Sequence, residues 1–96
     1  MTNYAKGARS EKKTRVWLEA QGYWVIEARG SHGAVDLVAI NPDRVLLIQV
    51  KSGRALGPKE HRLAVDALLA IPIPTIGERW LLSWPKYART PTVEMV

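Results

Sequence analysis

Cysteine is absent, so the chain has no disulfide framework, no thiolate metal site and no cysteine nucleophile. That suits a reducing, cytoplasmic setting. Long apolar runs are also lacking. The best one, Leu63 to Ile76, is interrupted by Asp66 and Pro72, and nothing approaches the roughly 20 residues that span a bilayer. The first six residues, Met1 to Lys6, carry no apolar core of a secretory signal. The expectation is a cytoplasmic protein with no membrane partner. Acidic residues are scarce, nine Asp and Glu against 14 Lys and Arg, for a net charge of +5 and a pI near 9.9. A balance of that kind points to a polyanionic partner.

What is present describes one globular unit. At 96 residues and 47% hydrophobic, the chain suffices for a single core, with no repeat or linker. The cations concentrate at the start. Lys6, Arg9, Lys12, Lys13 and Arg15 face one acid, Glu11, an arrangement able to track phosphates or to serve as a solvated helix face. Residues 1–9 are expected to form a basic flexible arm. Ser10 to Gln21 reads as a helix stopped by Gly22, with Val16, Trp17 and Ala20 toward a core. Tyr23 to Arg29, Val35 to Ile40 and Val45 to Lys51 read as three strands, the last two joined by the turn Asn41-Pro42-Asp43-Arg44. Gly57-Pro58 opens a second helix whose stripe is Leu63, Ala64, Ala67, Leu68 and Ile71, ended by Pro72 and Pro74. Glu78 to Trp84 alternates Trp80, Leu82 and Trp84 on one face as a fourth strand. The order α-β-β-β-α-β predicts an α/β fold, a mixed four-stranded sheet flanked by helices.

Two interruptions of the apolar strands carry the chemistry. With a turn at 41–44, Ile40 pairs with Val45, Val38 with Leu47 and Asp36 with Gln49. Opposed residues share a face with Cβ atoms ~5 Å apart, and Lys51 is the diagonal neighbour. A carboxylate, an amide oxygen and an ammonium would then meet at one strand pair. Magnesium needs oxygen ligands and keeps several waters, so such a set plus a substrate phosphate can hold it, and Lys51 can steady a metal-activated water. The alternative is a buried Asp36–Lys51 ion pair with Gln49 as a hydrogen-bonding partner, and burying charges for stability alone is often neutral or worse.

Val35-Asp36-Leu37-Val38-Ala39 followed by Leu47-Ile48-Gln49-Val50-Lys51-Ser52 resembles the PD-(D/E)XK nuclease superfamily. More narrowly the chain is similar to archaeal-type Holliday junction resolvases. The shared features are Lys6-Gly7, Glu11, Leu18, Gly22-Tyr23, Arg29, the Gly30-Ser31-His32-Gly33 loop, Asp36 and Lys51-Ser52, over roughly residues 6 to 54. Two positions depart from the pattern: Val35 replaces its proline, and Gln49 replaces the glutamate of (D/E)XK. A similar Q-x-K occurs in Mrr-type restriction nucleases. The resemblance implies a restriction-endonuclease-like core over residues 1–96 and a magnesium-dependent endonuclease, with manganese able to substitute and no small-molecule cofactor. It implies a metal site of Asp36, Gln49, Glu11 and Val50, catalysis by these acids and Gln49 with Lys51 and Ser31, and DNA contacts from Lys6, Arg9, Lys12, Lys13, Arg29, Ser31, His32 and Arg54. Glu11 read by itself would instead pair with Arg15 four residues on, and Ser31 and His32 would be ordinary loop residues. Branched double-stranded DNA is the implied partner. A homodimer follows from the twofold symmetry of a junction, with Ile71, Ile73 and Ile76 free to serve its interface or to pack internally. An Mrr-like nuclease acting on linear, modified or flapped DNA, and a DNA-binding module that lost cleavage with Gln49, are the alternatives.

Overall fold

The computed structural model describes residues 3–28, 33–52 and 56–96, with side chains from residue 9 onward. Helix α1 (Asn3–Glu19) leads into β1 (Trp24–Glu27), β2 (Leu37–Ile40) and β3 (Val45–Ser52), and α2 (Pro58–Leu69) connects β3 to β4 (Gly77–Trp84) and β5 (Thr92–Met95). The sheet runs β1-β2-β3-β4-β5. It is antiparallel throughout except for the parallel β3–β4 pair, which α2 crosses over.

Each helix end has a local cause. At the end of α1, Gly22 takes φ +92°. There Tyr23 N–H donates to Leu18 O and Gly22 N–H to Glu19 O, the paired hydrogen bonds of a Schellman stop that favours glycine. At the other end, α1 begins at Asn3 rather than Ser10, so residues 3–9 are helical and not a flexible arm. No proline lies there, and Gly7 alone costs a helix only about 1 kcal/mol. In α2, Pro58 occupies the first turn, where its missing N–H has no helical partner to lose.

The sheet buries one face against α1 and part of the other against α2. On the α1 side, Leu18 packs with Leu37, Leu46, Ile48, Leu82 and Trp84. On the α2 side, Ala64 and Leu68 close over Leu81. Trp80 and Trp84 are core residues, as their alternation predicts. The helix faces differ from expectation. Ser10, Thr14 and Leu18 are the buried positions of α1, whereas Val16 and Ala20 point to solvent. Polar Thr14 is tolerated there because its Oγ1 donates to Ser10 O at 2.7 Å and accepts the Trp84 indole N–H at 2.8 Å. Leu63 and Ala67 are likewise exposed, since α2 sits over β3 and β4 on only a narrow stripe. The fifth strand was not expected. Its four residues are all exposed, so it is held by pairing with β4 and leaves no burial pattern in the sequence.

Candidate functional site

The site is set by a turn several residues away from its centre. Asn41 Oδ1 accepts the N–H groups of both Asp43 and Arg44 at 2.8 Å, an Asx turn that fixes where the β2–β3 hairpin reverses. From it follows the register Ile40–Val45, Ala39–Leu46, Val38–Leu47 and Leu37–Ile48. Asp36 stands one position beyond the last of these pairs, where the ladder changes character. Its own N–H donates to Ile48 O at 2.8 Å, and its Oδ2 accepts the Val50 N–H at 2.8 Å. A side-chain carboxylate thereby takes the place of a main-chain carbonyl at the end of the ladder.

Partial burial raises the carboxyl of Asp36 above its ordinary range; the Val50 N–H and the nearby Lys51 ammonium pull it partly back. Lys51 is thus electrostatically coupled to Asp36. Strand alternation puts Val50 against the α1 core, which sends Gln49 and Lys51 to the opposite face. There they line a recess of about 290 Å³ with Glu60, Leu63 and Ala64 of α2. Gln49 Oε1 is buried and has no hydrogen-bond donor. A buried amide oxygen without a donor is costly, and an amide oxygen is a ligand type that a hard cation accepts. Asp36, Gln49 and the backbone of Val50 are the oxygen-bearing groups here that could hold a hard cation.

Among the described residues no three His, Cys, Asp or Glu side chains are grouped to hold a metal, so the acid content is low, as Gln49 dictates. Glu11 is half-buried on α1, and Arg15 reaches Glu27 at 3.6 Å. Arg9, Lys12 and Lys13 are exposed on α1. Arg29, Ser31, His32, Arg54 and the side chain of Lys6 lie outside the described residues. Glu60 was missed by the sequence reading, because only the docking of α2 on β3 brings it beside Gln49 and Lys51. No described helix is long and apolar enough to cross a membrane.

Comparison with known proteins agrees with this architecture. A UPF0102 protein from Beutenbergia cavernae is 31% identical over 94 residues, covering 96% of this chain and 80% of that protein. In fold the chain is similar to the 1.6 Å structure of Hjc from Archaeoglobus fulgidus, a Holliday junction resolvase from an archaeal hyperthermophile. The TM-score is 0.68 at 24% identity, over 94% of this chain and 70% of that one, and the shared arrangement is restriction-endonuclease-like. The family model for the archaeal Holliday junction resolvase (Hjc) matches residues 2–71, a span running from α1 through α2 and containing Asp36, Gln49 and Lys51. By that match the chain belongs to the archaeal Holliday junction resolvase family.

Proposed function

We propose that this protein is a magnesium-dependent, structure-selective DNA endonuclease that cuts phosphodiester bonds in four-way junctions. The observation that carries the reading is the junction of β2 and β3. There Asp36 is anchored on Val50 N–H, Lys51 is coupled to it, and the oxygen of Gln49 is buried without a donor. Asp36, Gln49 and the Val50 backbone would hold the ion, with Glu11 from α1 as a further carboxylate and manganese able to substitute. When bound, the ion supplies an acidified water and shields phosphate charge. Lys51 would orient the attacking water and stabilise charge developing on the scissile phosphate. The exposed cations Arg9, Lys12 and Lys13 hold backbone phosphates; Lys6, Arg29, His32 and Arg54 extend that set, and Ser31 contacts the phosphate being cut. Two related cuts across a symmetric junction call for a C2 homodimer, for which Ile76, 55% exposed, offers apolar surface together with Ile71 and Ile73.

The neutral Gln49 favours one second reading, a module of this fold that binds branched DNA without cutting it. Nicking of a synthetic four-way junction and of a linear duplex of the same sequence, with and without magnesium, separates the two. Magnesium-dependent nicking of the junction in preference to the duplex supports the resolvase. Equal cutting of both substrates indicates a nuclease for linear DNA, and binding without nicking under any metal would sink the enzymatic reading.

A further inference from the structure

A second surface at the same end of the sheet has a different chemistry. Ser52 of β3 pairs with Trp84 of β4, so the strand ends bearing Lys51 and Trp84 are neighbours. Gln49 and Lys51 face α2, whereas Trp84 packs in the α1-side core with Leu18 and Ile48. Beside Trp84, on the α1 side, lies an open groove of about 590 Å³. Val16, Trp17 and Trp84 make its floor, and Val16 is 55% exposed although apolar. Arg9, Lys12, Lys13 and Arg89 make its rim, and among the described residues no acid lines it. Lys13 Nζ stands 5.5 Å from the centre of the Trp84 ring, joining rim to floor.

The pairing of an apolar floor with a cationic rim selects its occupant. Duplex DNA presents phosphates and sugars to a groove wall while its bases stay stacked, so a duplex would use the rim and leave the floor in water. An unpaired strand has both parts, anionic phosphates for the arginines and lysines and uncovered base faces for an indole and a valine. We infer that this groove is a binding site for single-stranded DNA, in which unstacked bases lie on Val16 and Trp17 while their phosphates are held by Arg89 and the α1 cations. The groove lies on the α1 face of the sheet, opposite to Gln49 and Lys51. It goes beyond the proposed nuclease centre and does not require that centre to cut.

The test measures binding in EDTA, where metal-dependent cutting is silent, by fluorescence anisotropy of labelled oligo-dT and of a blunt duplex of equal length at one salt concentration. Val16→Asp puts a negative charge on the floor at an exposed position, and Arg89→Glu reverses one rim charge. Each is expected to weaken oligo-dT binding about tenfold or more, Val16→Asp through a lost base contact and Arg89→Glu through a phosphate contact turned repulsive. Val16→Asp should weaken duplex binding, which uses the rim alone, clearly less than it weakens oligo-dT binding, and Val16→Leu should bind oligo-dT as the wild type does. No oligo-dT binding by the wild type, or unchanged oligo-dT binding in both charge variants, would overturn the inference. So would an equal loss on duplex in Val16→Asp. A junction-nicking assay on the same preparations reads the catalytic proposal separately: absent nicking with intact oligo-dT binding removes only the enzyme.

Discussion

The Val50 N–H donates to Asp36 Oδ2 at 2.8 Å, and this contact between the start of β2 and the end of β3 organises the candidate centre. It holds a carboxylate in a partly buried place where ionisation is disfavoured by desolvation. A carboxyl whose folded pKa lies above its unfolded value takes up its proton first in the folded chain. Its contribution to stability is therefore fully present below the unfolded value and is lost as pH rises through the raised folded one. At neutral pH the charge of Asp36 is a cost to the fold, of a kind that active sites retain for chemistry.

Asp36→Asn keeps an acceptor for Val50 N–H and removes the charge. It should abolish cleavage, raise Tm at neutral pH, and lose that Tm advantage as acid protonates the wild-type aspartate. Thermal melts of both proteins across pH check this; a lower neutral-pH Tm in the variant would contradict it.

Gln49 governs the response to magnesium. An ion that binds only the folded chain stabilises it by about 2.7 kcal/mol at 100 times its Kd, and a domain of this size gains about 4–8 °C per kcal/mol. Wild-type Tm should rise with added magnesium, Gln49→Glu should reach the same rise at lower concentration, and Gln49→Leu should show little rise and little cleavage. A magnesium titration followed by both melting and junction nicking decides it, and wild-type behaviour in Gln49→Leu would put Gln49 outside the metal site.

Replacing Lys12 and Lys13 together with alanine should weaken duplex and junction binding. It should also flatten the dependence of log K on log salt, by about 0.9 for each phosphate that is no longer neutralised. Affinities at several salt concentrations give the slope, and an unaltered slope would make these lysines a solvated helix face.

Thr14→Val tests the link between α1 and β4. Thr14 is buried and accepts the Trp84 indole N–H, so valine leaves that donor unpaired at a cost of about 1–3 kcal/mol. A clear drop in Tm is expected, with Thr14→Ser close to the wild type. An unchanged melt in Thr14→Val would mean the indole finds another partner.

The hairpin was the most legible part of the chain. Asn41-Pro42-Asp43-Arg44 names its turn, and counting back from it reproduces the pairing of Ile40 with Val45 and Val38 with Leu47. Extrapolation fails at Asp36, where the backbone leaves the regular ladder and the carboxylate turns onto Val50 N–H instead of simply facing Gln49. The face of α1 was harder to read. Hydrophobicity favours Val16 and Ala20, but a paired hydroxyl is as acceptable in a core as a methyl, and Thr14 finds its pair in Trp84, 70 residues away.

Locally coded features were thus settled by the sequence itself: helices stopped at Gly22 and begun at Pro58, strands alternating through Trp80, Leu82 and Trp84, and a turn that sets register. Each depends on backbone sterics or side-chain period within a few residues. Tertiary structure alone decided which helix faces are buried, that Thr92–Met95 pairs with β4, that Glu60 joins Gln49 and Lys51, and that Val16 and Arg89 share a groove. Those outcomes arise from contacts between distant segments. The free energy of such a contact depends on its partner, which no local pattern records.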